Sequence, residues 1–464
     1  MVRKIGAFLG LVLLTLAAVI PAQSWTHGTP QLQLAAERFF SQGQNTSGGG
    51  GPGNNNYTRG ESRHLFYTPN ADIVGPRIIV TNWGTADDTG EYCGANTVTQ
   101  FHTLELTTGQ TYQFTWSNAT TVDVAPCGTI ISDPLMTTPG GSTPVTLTAN
   151  TQYWMRSGLT VASAGQTFIM TNSNWATGEG GFNSSSASSQ VNSTGPMTNP
   201  GGGTSNAGGI MPAALVGYPQ RNGLPVLLDR FWMLGDSIAW GSITSSDGNG
   251  NLGHFRMALY QWGPNGSTPA QFAGFKPADW IASNTYLTGP RKRLFMRYAN
   301  LGICELAHND IANGRTLAQI QADLIATWTA MKGAGLKVKQ TLITPDTSST
   351  DNWATAANQT PRTGFEVGGI RDQLNAWIKT NPNGLLDGYI DIPSAVEDQA
   401  NPGKWKTNGT AFAWTPDGTH FTNTARDAAI PVVRAAYPNL NYLLERDLNP
   451  ASNDNSPVFL RRVG

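Results

Sequence analysis

Three short turns in the second half of this 464-residue chain carry the residue types that acyl transfer requires. The first, Gly235-Asp236-Ser237-Ile238-Ala239-Trp240-Gly241, follows the apolar run from Val226 to Leu234 and places a serine where a strand gives way to a helix. The second, Ala307-His308-Asn309-Asp310, follows Gly302 to Leu306. The third, Thr415-Pro416-Asp417-Gly418-Thr419-His420-Phe421, stands before a helix expected over Thr422 to Ala436, with Pro431 expected to kink it. The set supplies a hydroxyl nucleophile, an imidazole with a carboxylate three residues before it, and a side-chain amide. Acyl transfer uses them as nucleophile, as base with its orienting acid, and as a donor to the developing oxyanion.

Each residue also has a plainer reading. A lone serine at such a turn is more often a helix cap, so Ser237 as nucleophile depends on His420 and Asn309 standing in turns of their own. Of six histidines, His27, His64 and His102 lie outside the second half, leaving His254, His308 and His420 as bases. Only His420 has an aspartate three residues before it, ahead of the last helix. His308 is expected as a cleft residue that touches substrate, and His254 on a helix surface. Asp310 is expected to hydrogen-bond the backbone of its own turn.

These turns need a parallel sheet behind them. Val226 to Leu234 reads as a buried central strand. Leu317, Ile320, Leu324, Trp328 and Met331 recur at helical spacing until Gly333 and Gly335. A strand is expected from Leu336 to Ile343, an amphipathic helix through Val367, Ile370, Leu374, Trp377 and Ile378, and a strand from Leu385 to Ile392. Alternating strands and helices predict an α/β, doubly wound parallel sheet, whose ligand crevice lies at the carboxyl ends of its strands. Between Tyr57 and Ser173, short runs such as Arg77 to Thr81, Thr111 to Trp116, Pro144 to Thr148 and Thr167 to Met170 predict an all-β, jelly-roll-like sandwich.

Arg3 and Lys4 precede the apolar run from Ile5 to Ile20, which ends before the small residues Ala22 and Ser24. The run is short of the ~20 residues that span a membrane, so a signal peptide cleaved after Ser24 is expected, giving a secreted or periplasmic protein. The expected organisation is signal peptide 1–24, low-complexity linker 25–56, β-sandwich 57–174, Gly/Ser/Asn-rich linker or loop 175–209, hydrolase unit 210–445 and tail 446–464. A net charge of −1 with 13% charged residues excludes nucleic acid as a partner, and 39% hydrophobic residues exclude a wholly disordered chain. Three cysteines make neither a disulfide scaffold nor a zinc site. Cys93 and Cys127 either bridge or remain buried thiols.

The serine turn lacks the G-x-S-x-G elbow of ordinary lipase folds. Gly235-Asp236-Ser237, Asn309-Asp310 and Asp417-Gly418-Thr419-His420, in that order, instead resemble the SGNH (GDSL) hydrolase family. That resemblance implies a flavodoxin-like sheet, Ser237 as nucleophile, His420 as base and Asp417 as its orienting acid. It also implies an oxyanion hole of the Ser237 N–H, the Asn309 amide and a glycine N–H, assigned to Gly274 at a helix-entering turn, with Gly266 as its competitor. Ala307 departs from the family's usual glycine, which matters only if that position needs a positive φ.

No metal or organic cofactor is expected. The expected substrate is an acetyl ester on an oligosaccharide or polysaccharide, taken by a monomer with no membrane partner after signal cleavage. The β-rich unit resembles carbohydrate-binding modules, and Trp83, Trp116 and Trp154 are sugar-stacking candidates there. Two other readings are a non-catalytic glycan-binding protein and a sugar O-acyltransferase using the same residues.

Overall fold

The computed structural model describes residues 32–35, 57–86, 90–170, 177–198, 204–205, 209–245, 253–261 and 291–438. The expected signal peptide and C-terminal tail, together with Gly266 and Gly274, lie outside the described residues.

Most strands of the β-rich region fall into two antiparallel sheets, and Trp83–Ala86 pairs separately with Gly90–Cys93. One contains β1 (Gln33–Leu34), β3 (Asp72–Thr81) and β7 (Ala214–Arg221), in the order β1-β7-β3. The other contains β2 (Arg59–Tyr67), β4 (Val98–Leu106), β5 (Gln152–Thr160) and β6 (Gly180–Ser184), in the order β6-β2-β5-β4. Ile73, Ile78, Val80 and Leu215 from the first sheet share an apolar core with Phe66, Leu104 and Met155 from the second. Thr167 to Met170 form no strand, although Phe168 and Met170 are buried in that core. Cys93 and Cys127 are disulfide-bonded, and Cys304 is a buried free thiol.

Two parts of the expected linkers are structural. Residues 33–34 pair with β7, and the Gln33 side chain donates to Val226 O (2.9 Å) and accepts from Leu228 N (2.9 Å). That staple holds the start of the α/β region against the β-rich one. Residues 180–184 pair with β2, and the chain after them covers a buried ion cluster on the same sheet. There Arg63 and Arg156 each reach Glu105 at 2.8 Å. The Gln190 and Gly195 carbonyls accept from Arg156, and the Gly195 N–H donates to Glu105. Buried charges need such partners, and a polar, Gly-rich sequence supplies them through its backbone, with no hydrophobic period.

The α/β region is built on β8 (Phe231–Gly235), β9 (Leu301–Glu305), β10 (Lys337–Thr341) and β11 (Tyr389–Ile390), all parallel and in that order. β8 is buried on both faces, and its period of two divides them. Trp232 and Leu234 enter one core, and Phe231 and Met233 the other. Of the helices that follow, α1 (Ser237–Trp240) carries the serine turn and α3 (His308–Ala312) the asparagine turn. The first core is completed by α4 (Leu317–Gly333) and α5 (Ile370–Lys379), through Ile320, Leu324, Trp328, Leu374 and Ile378. The second is completed by α2 (Gly253–Gln261) and α6 (Asn423–Ala435), through Phe255, Leu259, Ala425, Ala429 and Val433.

The sheet is therefore covered on both sides. Its strand order follows chain order, so the order reversal of a doubly wound sheet is absent among the described strands. The first strand is also shorter than expected. Val226 and Leu228 pack on Ala71 of the β-rich region instead of joining the parallel sheet. Pro431 lies inside α6.

Candidate active site

β8 delivers its carboxyl end into a tight turn. A Cβ on Gly235 would lie 2.4 Å from the Ala239 side chain, so no larger residue fits there. Asp236 caps α1, its Oδ1 accepting from Ile238 N at 2.8 Å. Ser237 is the first residue of that helix, and first-turn N–H groups have no intrahelical acceptor. Its backbone N–H and its hydroxyl thus belong to one turn.

Ser237 Oγ lies 2.8 Å from His420 Nε2, and His420 Nδ1 lies 2.6 Å from Asp417 Oδ2. With Nδ1–H donating to the carboxylate, Nε2 is left as the acceptor for the serine proton. Asp417 Oδ1 accepts the backbone N–H groups of Thr419 (2.9 Å) and His420 (2.8 Å). Gly418, between Asp417 and Thr419, has φ +89°, and a Cβ there would lie 1.8 Å from Thr347 O. Its carbonyl accepts from Trp405 Nε1 (2.7 Å) and Thr347 N (3.1 Å). Asp346 accepts the Thr419 hydroxyl (3.0 Å) and pairs with Arg362 (3.1 Å).

Burial alone would raise the pKa of Asp417, but hydrogen bonds from the His420 ring and from the His420 and Thr419 backbone outweigh it and hold the group well below its ordinary value. Burial works to lower the pKa of His420; its bond to Asp417, the Asp417 charge and the charges of Asp236 and Asp346 overcome it, and the net shift is upward.

Asn309 sits in the first turn of α3 and donates from Nδ2 to Asp236 Oδ2 at 3.1 Å. An amide has two N–H groups, so the second remains for a substrate oxygen. Ala307 caps this helix with φ +107°, a conformation that strains any residue with a Cβ. The usual glycine is thus replaced where its freedom counts. The expected glycine donor, Gly274 or Gly266, lies outside the described residues.

Two expectations change. His308 is 2% exposed, 3.5 Å from Asp346 and 4.8 Å ring to ring from Phe365, so it packs behind the turn and presents no face to substrate. His254 is buried against Phe255 and Phe421, not on a helix surface. Asp310 faces Arg315 at 3.7 Å, and burial pushes its carboxyl up to about 7. Asp346 and Glu305 were missed, although both stand at strand ends: Asp346 follows Pro345, and Glu305 is the one charge in Leu301 to Leu306. Arg362 and Trp405 carried no sequence signal.

The chain matches no protein-family model and no curated protein. Among solved structures it is similar to a putative acylhydrolase from Bacteroides fragilis (17% identity, 49% of this chain and 91% of that one, TM-score 0.32). It is also similar to a GDSL-like lipase from Bacteroides thetaiotaomicron (12%, 46% and 88%, TM-score 0.31). A salicylyl-acyltransferase from a tetracycline biosynthetic pathway covers more of the chain (11%, 83% and 83%, TM-score 0.31). Roles at the site follow from its own geometry.

Three outcomes are expected. His420 must be neutral to accept a proton, and its pKa is raised from 6.5. Activity therefore falls as pH drops through a midpoint above 6.5, measured as kcat/KM against pH. Asp417→Asn removes the group that raises it, which moves the midpoint down and costs about 10⁴-fold in kcat. Ala307→Gly relieves the positive φ and raises stability by about 1 kcal/mol in urea unfolding; a loss of stability would contradict the strain.

Proposed function

We propose that the chain is a secreted SGNH-type serine esterase that cleaves small acyl groups, acetyl above all, from carbohydrate. The observation that carries the reaction class is the continuous chain from Ser237 through His420 to Asp417, at 2.8 and 2.6 Å. Ser237 attacks the ester carbonyl as His420 takes its proton. The tetrahedral oxyanion is held by the Ser237 N–H and the Asn309 amide, and His420 returns the proton to the departing sugar hydroxyl. Water, activated by the same imidazole, then releases the acid from the acyl-serine.

Support for the carbohydrate comes from the catalytic turn rather than the β-rich region. Trp83, Trp116 and Trp154 are buried and offer no stacking face. Phe412 is 45% exposed, with the half-buried Trp353 ring 6.0 Å away. Trp353 reaches within 3.0 Å of where a Cβ on Gly418 would stand. An exposed ring next to Trp353, which packs on the turn that carries the base, suits the face of a sugar. The β-rich region is proposed as a sandwich-type accessory domain, and the apolar run at Ile5 to Ile20 supports export.

Protein lacking residues through Ser24 is expected to hydrolyse p-nitrophenyl acetate faster than longer-chain esters. Ser237→Ala should lower the rate by about four to six orders of magnitude. Equal rates for wild type and Ser237→Ala would refute the enzyme. Acetate release that requires an added sugar acceptor would identify a transferase instead. Phe412→Ala is expected to raise KM for acetylated xylan oligosaccharides about 3- to 10-fold without a matching change for p-nitrophenyl acetate.

A further inference from the structure

Glu305 ends β9, and its carboxyl lies buried beneath the turn that carries the nucleophile. It accepts the backbone N–H of Asp236 at 3.3 Å and also that of Ala239, one on each side of Ser237. A Cβ on Gly235 would come within 3.2 Å of its Oε2. Its carboxyl and that of Asp236 are both buried and close enough to interact. Two buried neighbouring carboxyls ionise together only at a high cost, so one of them keeps a proton. Asp236 is wholly buried and already commits its oxygens to Ile238 N and Asn309 Nδ2.

We infer that Glu305 is a positioning residue for the hydrolysis: it shares one proton with Asp236, and so fixes the Ser237 turn and the Asn309 amide relative to one another. Burial, and then the Asp236 charge, hold Glu305 well above its ordinary value, so Glu305 carries the proton. The charges acting on the pair come from several elements. Burial pushes Asp236 upward as well, and the cationic forms of His308 and His420 oppose that only in part, while Asp310 on α3 feels Asp236 as a like charge. Cys304, the neighbour of Glu305 on β9, is itself buried and pushed up to about 12. When the shared proton is lost at high pH, two buried carboxylates face each other without a cation between them. Asp236 then turns away, and the Asn309 amide moves with it.

The inference rests on Ser237 being the nucleophile, and the test separates the two. In the full chain, Glu305→Leu is expected to lower kcat about 10- to 100-fold, less than the ~100- to 1,000-fold cost of losing an oxyanion donor outright, with KM little changed. Glu305→Gln, which keeps a neutral donor and acceptor, should recover most of that rate at neutral pH and lack the alkaline fall in kcat that wild type shows. Wild-type kcat in Glu305→Leu, or the same alkaline limb in wild type and Glu305→Gln, overturns the inference. If Glu305→Leu does not fold, the comparison of wild type with Glu305→Gln decides alone. If wild type turns over no faster than Ser237→Ala, the esterase reading has failed instead.

Thermal unfolding reads the shared proton without turnover. Only the folded state keeps the proton as pH rises above the ordinary glutamate value of 4.5, so wild type should lose stability relative to Glu305→Gln over that range. Parallel curves overturn the inference whatever the activity.

Discussion

Asp236 is wholly buried, and each of its oxygens has an assigned backbone or side-chain donor: Ile238 N–H on one, the Asn309 amide on the other. A buried carboxylate is stable only when such donors are present, so the serine turn and the asparagine turn are tied wherever Asp236 is. The rest of the site inherits that constraint. β8 and β9 are adjacent and parallel, with Gly235 opposite Glu305, so their carboxyl ends open side by side. Sheet register therefore brings the cap of α1 and the first turn of α3 to one point, where Asp236 ties them. The strained φ at Ala307 lies at this same junction, where tight packing can hold an unfavourable backbone.

The base arrives from the other side by a different device. Asp417 to His420 form a turn whose backbone is fastened to Thr347, Trp405 and Thr415, with Asp346 holding Thr419. Gly418 allows the close approach to Thr347 that this fastening requires. Because Asp417 binds both the ring and the backbone of His420, the imidazole is fixed in tautomer and in direction before any substrate enters. Preorganisation of this kind lowers the reorganisation needed in the transition state.

The parts readable in the sequence are those written in local chemistry. Ser237, Asp417 and His420 stood out because each occupies a turn beside a strong apolar element. α4 was readable because Ile320, Leu324, Trp328 and Met331 keep a helical period. The unreadable parts depend on partners far along the chain. Gln33 and Leu34 are too few to carry a period, and their strand exists because β7 offers an edge. Residues 180–184 are similar: β2 makes them a strand. The run from Val226 to Leu234 misled because apolar character alone does not say which core a residue enters. His308 looked like a cleft residue for the same reason, since only Phe365 and Asp346 reveal that it faces inward.

The central claim is that the reaction passes through an ester on Ser237. The most direct measurement is rapid quenching of the protein with p-nitrophenyl acetate in acid, followed by mass spectrometry of its peptides. The account predicts one acetyl group on the peptide that carries Ser237, formed during the first turnover and absent from Ser237→Ala. Acetyl on a different residue, or turnover with no acetylated peptide at any quench time, would contradict it.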